Sequence, residues 1–329
     1  MSALAVDRSD LRATLRQPGD VLPGASIGTV PILWNNVDLA DLRYGTDAST
    51  ILDEIARTGY EGTQLGIGFP EGEALRHALI ERRLRLAEVY LSIPATVDGP
   101  TPDAMAIGRE RARLLHEGGG EVMVMALDLS PGREDRAGRA NAPGTPVLTD
   151  AGWDALLGTV HDLATEVVAA GHRAAFHPHG GTFVETPAEV ERLADGLDQS
   201  LVGICLDVGH YVVGGGDPVA ALRDLGDRVT HLHLKDVDPV VLDGLRNGSV
   251  PGFDAAIRAR LFTELGAGAL DLDGVLAAAA DRDFDGWLMV EQDSTWGPPS
   301  ESAAIGRRVL AAAVRRLGSG SHHDNEEGR

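Results

Sequence analysis

A single-domain (β/α)8 barrel is the fold class this 329-residue sequence predicts, and three observations carry the prediction. Short runs rich in Val, Ile, Leu and Ala, without polar alternation, recur eight times, each followed by a helical segment; such runs suit parallel strands buried on both faces. Polar residues able to bind a divalent metal stand at or just past the ends of four successive runs, where a parallel barrel builds its active site. No G-x-G-x-x-G follows the first run and no G-x-x-x-x-G-K-[ST] occurs, so a dinucleotide fold or a P-loop has no support.

The units follow in order. Ser26–Leu33 precedes a helix around Ala48–Thr58 that Gly59 ends, and Gly62–Gly66 precedes one near Glu71–Arg83. Arg85–Leu91 and Asp103–His116 form the third unit, closed by Gly118-Gly-Gly. Glu121–Leu127 is the fourth strand; a polar loop, Ser130 to Thr149, separates it from a helix over Asp150–Ala170. Arg173–His177 is the fifth, with a helix opening at Thr186-Pro-Ala-Glu, a cap residue with proline at the first helical position. Val202–Asp207 leads to a helix near Pro218–Leu225. Val229–Lys235 leads through an excursion, Asp236–Leu270, to a helix at Leu272–Asp281; Trp287–Glu291 precedes the closing helix Glu301–Leu317. Right-handed crossovers between eight such units imply closure, a TIM barrel over residues 21–317, with the two long loops over its mouth. Residues 1–20 and 318–329 are polar and are expected as a flexible lead and a disordered tail, the pair His322 and His323 being inert there.

Bulk properties narrow the function. A formal charge of -21 argues against nucleic acid or an anionic membrane as partner. Cys205 is the single cysteine, so no internal disulfide forms; its apolar surroundings fit a structural thiol, and a reducing, cytoplasmic setting is expected. No run of about 18 apolar residues suggests a membrane span. A small-molecule partner is compatible with these exclusions, and so is a homo-oligomer.

The chemistry sits on the last four units. Arg173-Ala-Ala-Phe-His-Pro-His179 is followed by Glu185, Gly203-Ile-Cys-Leu-Asp207 by His210; Thr230-His-Leu-His-Leu-Lys-Asp236 carries two histidines and Trp287-Leu-Met-Val-Glu291 ends in a carboxylate. Strand alternation puts His177 with His179, and His231 and His233 with Lys235, on common faces. Carboxylates and imidazoles without thiolate suit Mn²⁺ or Co²⁺ best, with Mg²⁺, Fe²⁺ and Zn²⁺ as other candidates.

Asp207-Val-Gly-His210, His231-Leu-His-Leu-Lys-Asp236 and Glu291 resemble the metal-binding strand ends of the xylose-isomerase-like barrels, the superfamily of sugar isomerases and epimerases. The resemblance narrows to the inosose dehydratases through Val30-Pro-Ile-Leu-Trp-Asn-Asn-Val-Asp38, Gly59-Tyr-Glu-Gly-Thr-Gln-Leu-Gly66, His177-Pro-His-Gly-Gly-Thr-Phe-Val-Glu185 and Phe262-Thr-Glu-Leu-Gly-Ala-Gly268. It implies Asp207, His233 and Glu291 as metal ligands, with His177 or Glu185 as the fourth. His179, His210, His231 and Lys235 then become candidates for proton transfer or substrate contact, and Trp34, Asn35 and Glu185 candidates for the sugar pocket. The activity implied is metal-dependent dehydration of a keto-inositol such as 2-keto-myo-inositol, or a related keto-sugar, by α-proton abstraction and loss of the β-hydroxyl. The alternatives on the same ligand set are a ketose or inosose isomerase or epimerase, a lyase eliminating from 3-keto-glycosides, and a non-catalytic sugar-binding barrel. A DNA-repair endonuclease of the same superfamily is disfavoured, because strands two and three offer Gln64 and Glu88 but no histidine.

Overall fold

The computed structural model describes residues 22–320; the expected lead 1–20, the tail from 321 and the pair His322–His323 lie outside the described residues. Eight parallel strands close into a barrel: β1 (Ser26–Thr29), β2 (Gly62–Gln64), β3 (Arg85–Ile93), β4 (Val122–Leu127), β5 (Arg173–Phe176), β6 (Val202–Asp207), β7 (Val229–Leu234) and β8 (Trp287–Val290). Each strand pairs with its sequence neighbours, and β1 pairs with β8 to close the cylinder, Gly28 lying opposite Met289 and, on the other side, Gly62. Gly62 is a steric requirement, because a Cβ there would lie 2.8 Å from the Arg85 carbonyl; one at Gly28 would lie 2.4 Å from Met289 Sδ, so that side chain would have to shift.

The helices are α1 (Ala48–Thr58), α2 (Gly72–Glu81), α3 (Ala104–Gly118), α4 (Asp150–Ala169), α5 (Pro187–Gly196), the short α6 (Val208–Val213), α7 (Pro218–Leu225), α8 (Pro239–Asn247), α9 (Phe253–Arg258), α10 (Leu272–Ala280) and α11 (Pro299–Gly320). Local chemistry sets their ends. The Asp47 side chain accepts from Thr50 N at the start of α1, and Gly59, at φ 91°, ends it in the left-handed conformation. At α5, Thr186 and Glu189 form a reciprocal capping box with Pro187 at the first position.

Two boundaries differ from the expectation by more than two residues. β1 ends at Thr29 rather than Leu33, and Pro31–Leu33 turns as a 3-10 helix, because Pro31 has no N–H to continue the ladder. Residues 318–320, expected as the start of a tail, continue α11.

The main core lies between strands and helices, with Ile51, Ile55, Val89, Leu91, Leu156, Leu206 and Leu232 essentially without solvent contact. At roughly 1.5–3 kcal/mol for each such side chain, this layer dominates the stabilisation. A separate interior cluster, with Val122, Val124, Ala175, Cys205, Trp287 and Met289, plugs the barrel below its mouth. Trp287 donates to Glu121 Oε2 (2.9 Å) and stacks under the Arg85 guanidinium, which seals the bottom. A third cluster joins Ala137 of the loop after β4 to Val213 of α6 and to Leu242, Leu245, Phe253 and Phe262 of the excursion after β7. The excursion is tied down by a two-strand ladder, Asp236–Val237 against Phe262–Thr263, and by the Asp236 carboxylate accepting from Val237, Gly266, Gly268 and Leu270 N. Both long loops therefore stand over the barrel mouth, as their length and position suggest.

Candidate metal centre

Strand register brings the ligand types to one level. Asp207 lies opposite His233 across β6 and β7, and His233 lies opposite Met289, two residues before Glu291, across β7 and β8. His177 follows the last residue of β5 and still donates its backbone N–H to Met125 O. One ligand atom each from His177, Asp207, His233 and Glu291 lies within 4.8 Å of all the others. His233 Nδ1 is 2.6 Å from Glu291 Oε2 and 3.9 Å from Asp207 Oδ2; His177 Nε2 is 3.5 Å from Asp207 Oδ2.

This group fits a divalent cation. Asp207 Oδ2, His233 Nδ1 and Glu291 Oε2 are buried and make no well-directed hydrogen bond, although they crowd one another. Lone pairs converging in a buried space are unfavourable unless a positive charge sits between them. The second oxygen of Asp207 is fixed separately: Oδ1 accepts from His210 N (2.8 Å) and caps α6, so one carboxylate starts a helix and aims at the centre. Glu88 supports the group from below. Its Oε2 lies 3.1 Å from His233 Nε2 and 2.5 Å from His231 Nε2, the usual arrangement of a carboxylate behind a ligating imidazole.

Lys235 adds the local cation. Its Nζ is 2.7 Å from Asp293, 3.0 Å from Glu291 and 3.4 Å from Asp207, 3.0 Å from His210 Nε2, and 4.6 Å from the Phe262 ring centre. Burial acts against the ammonium, but these three carboxylates outweigh it and hold Lys235 well above the usual lysine range. Burial raises the Asp207 carboxyl, yet Lys235, His177 and His233 hold it well below the usual range; Glu291 is likewise held at about 2. Desolvation, His177 and Lys235 push His179 down to about 3, so its imidazole is neutral. His179 Nδ1 lies 2.7 Å from Gly180 O, which sets Nδ1 as the protonated nitrogen and leaves the lone pair on Nε2. The His210 ring stacks on His179 at 3.7 Å between centres.

Other expected residues fall elsewhere. Glu185 does not reach the centre: its two oxygens accept from Gly138 N (2.8 Å) and Gly181 N (2.6 Å), which ties the loop after β4 to the loop after β5. Of the two candidates for fourth ligand, the strand-end residue His177 is the one that joins the group, because the chain after Gly180 turns back on itself instead of reaching inward. Trp34 is no pocket wall; it is 1% exposed and donates Nε1–H to Glu54 Oε2 on α1. Asn35 closes its own turn, with Nδ2 donating to Thr46 O and Oδ1 accepting from Thr46 N. His231 lies beneath the centre against Glu88, away from the cavity, whereas Lys235 lines it and pairs with Asp207, Glu291 and Asp293. Glu88 and Asp293 are the members that the ligand reasoning passed over. Their signal was a carboxylate on the inward parity of an apolar strand, Leu86-Ala-Glu-Val-Tyr-Leu91, and a second carboxylate two residues past Glu291.

A cavity of about 570 Å³ opens onto this group, lined by His177, His179, Lys235, Glu291 and Asp293, and a smaller one of about 260 Å³ lies beside Asn36, Asp38 and Phe253. Among the described residues no helix is long and apolar enough to cross a membrane.

The family described as the xylose isomerase-like TIM barrel matches residues 45–313. Inosose dehydratase 1 of Bacillus cereus (strain ZK / E33L) is 30% identical over 290 residues, which covers 86% of this chain and 95% of the relative. The chain belongs to the xylose isomerase-like TIM barrel family, among the inosose dehydratases. Solved structures share the fold at lower identity. An L-ribulose 3-epimerase superposes with a TM-score of 0.68 at 14% identity, covering 93% of this chain and 99% of the other. The IOLI protein with a bound zinc atom superposes with a TM-score of 0.64 at 12% identity, covering 88% and 98%.

Proposed function

We propose that this member of the family is a metal-dependent hydro-lyase that removes water from a keto-inositol, with His177, Asp207, His233 and Glu291 as the ligands. The observation that carries the reading is the convergence of unpartnered lone-pair atoms from three strand ends at the floor of a cavity large enough for the substrate. The name and coverage of the inosose dehydratase relatives support the substrate class. The ligand set of two imidazoles and two carboxylates supports Mn²⁺ or Co²⁺.

When bound, such a cation supplies Lewis-acid polarisation of a carbonyl oxygen and acidifies the neighbouring C–H. The chain's own groups do the rest. His179 Nε2, neutral and on the cavity wall, takes the α-proton; the Lys235 ammonium, on the same wall, gives a proton to the departing β-hydroxyl. His210, stacked on His179 and 3.0 Å from Lys235, holds the two at a fixed separation. Phe253 and Phe262 pack against these histidines and keep bulk water from the proton-transfer groups.

The test is turnover of 2-keto-myo-inositol by protein of measured metal content, followed by the ultraviolet absorbance of the conjugated product. Asp207→Asn and Glu291→Gln are expected to lose both the metal and the activity. Full activity with stoichiometric metal in either variant would falsify the assignment. A product without ultraviolet absorbance would instead mark the chain as an epimerase or isomerase.

A further inference from the structure

The large cavity has two unlike halves. The polar residues that line it from β5, β7 and β8 and the segments just past them are His177, His179, Lys235, Glu291 and Asp293. The opposite half, built from the segments after β1 and β2, from β3 and α3, and from the end of β4 and the residues just past it, presents Leu65, Ile67, Phe69, Leu114, Leu127 and Leu129, with Asp38, Gln64, Tyr90, Ser92 and Asp128 as its polar groups. This apolar annex runs outward to Glu71 and Arg111, beyond the barrel wall. Ile67 is 41% exposed.

A keto-inositol does not fill such a space. Its twelve or so non-hydrogen atoms occupy roughly 200 Å³ at the packing density of protein interiors, against a cavity of about 570 Å³. Nor does its chemistry match the annex. Every ring carbon carries oxygen, and a hydroxyl buried against leucine and isoleucine loses its hydrogen bonds without replacement. The annex requires carbon, and it is continuous with the metal group.

Resting on the reading above, we propose that the annex receives an apolar O-linked substituent, and that the chain acts on keto-cyclitols or keto-pyranosides bearing such a group β to the ketone. The group leaves as an alcohol where the hydroxyl of an unsubstituted substrate leaves as water. The balance is the same for both. The α-proton passes to His179 Nε2, the C–H electron pair becomes the new C=C bond conjugated with the ketone, and the β C–O bond breaks. The departing oxygen takes a proton from Lys235 and leaves as ROH. No oxidant or reductant enters.

The experiment uses the metal-loaded full chain and three substrates: 2-keto-myo-inositol, methyl 3-keto-β-D-glucopyranoside and the butyl analogue, whose leaving alcohols differ little in acidity. Burial gains roughly four-fold for each methylene, so kcat/KM for butyl over methyl is expected at about 60-fold. Ile67→Glu and, separately, Leu129→Glu, both at solvent-accessible positions, are expected to bring that ratio close to one. A butyl-to-methyl ratio near one in the wild type, with keto-inositol still dehydrated, overturns the annex and leaves the hydro-lyase reading standing. Elimination from none of the three substrates overturns both. A large ratio that neither variant reduces overturns the placement of the substituent against Ile67 and Leu129.

Discussion

Replacing Glu88 by glutamine separates the grip on the metal from contact with the substrate, because Glu88 lies wholly inside the barrel and does not line the cavity. His233 aims Nδ1 at the centre, so Nε2 carries the proton and needs an acceptor; Glu88 Oε2, 3.1 Å away, is that acceptor and shares itself with His231. A carboxylate behind an imidazole fixes its orientation and raises its basicity as a ligand, an effect worth about 10–100-fold in metal affinity. At 1.36 kcal/mol per decade that is roughly 1.4–2.7 kcal/mol. Glutamine keeps one carbonyl oxygen for the His233 N–H, so the ring stays in place and the loss is that of the negative charge.

The assay is calorimetric titration of chelator-stripped protein with Mn²⁺ and with Co²⁺, the visible bands of Co²⁺ reporting the ligand set independently. The expected result is a weakened Kd with unchanged stoichiometry and unchanged Co²⁺ band positions. His231→Gln, which leaves the Glu88–His233 contact intact, is expected to stay within a few-fold of wild type in Kd. If Glu88→Gln binds both metals as tightly as the wild type, or if His231→Gln weakens them equally, Glu88 is a packing residue and the reasoning fails.

Metal binding is expected to raise thermal stability, by about 2.7 kcal/mol at a free concentration one hundred times Kd; a melting temperature indifferent to Mn²⁺ and Co²⁺ would contradict a native-state site. Trp34→Phe removes the bond to Glu54 within a buried turn, so a loss of about 1.5–3 kcal/mol in denaturant unfolding is expected without a change in KM; a raised KM would return Trp34 to the pocket wall. Burial raises Glu185 to about 7 against its ordinary 4.5, with its backbone donors and Arg133 opposing the shift only in part. The native state therefore holds the extra proton between those values, so this group's contribution to stability is greatest below about pH 4.5 and is lost as pH rises to about 7, by roughly 3 kcal/mol. Wild-type stability minus that of Glu185→Gln, measured metal-free at pH 5 and pH 8, should fall across that range; a flat difference would show Glu185 ionised throughout.

Strand parity made the metal group legible. Once β6 and β7 are placed as neighbours, Asp207 and His233 must face each other, and the spacing of Glu291 from Met289 brings it to the same level. The fourth ligand was open because the sequence places His177 at a strand end and Glu185 in a loop, and loop paths depend on backbone hydrogen bonds that periodicity does not report. Those bonds, from Gly138 and Gly181, hold Glu185 elsewhere. Trp34 misled for a related reason: an aromatic at a strand end reads as a wall, but Pro31 ends the strand early and turns the indole toward α1. Glu88 was visible as a residue and illegible as a role, since a carboxylate within an apolar strand gains meaning only when a partner strand brings an imidazole to it.

The closed barrel also explains why chemistry and selectivity occupy different strands. Ligands and proton-transfer groups come from β5 to β8 and the residues that follow them, and their positions are coupled through Asp207 capping α6 and Lys235 pairing with Asp207, Glu291 and Asp293. A change at any one of these leaves a buried charge without its partner, which costs several kcal/mol. The cavity-lining positions after β2 and β4, Ile67 and Leu129, stand outside this network, and the buried pair that the loop after β4 does hold, Arg133 with Glu189, does not line the cavity. Ile67 and Leu129 touch solvent, and replacing them changes cavity shape without exposing a buried charge. The metal-bearing ends of β5–β8 are therefore expected to tolerate few substitutions and the annex positions after β2 and β4 many. Randomising 65, 67, 69 and 129 should yield folded, metal-binding variants far more often than randomising 177, 207, 233 and 291, and equal frequencies would mean that the annex is part of the metal site after all.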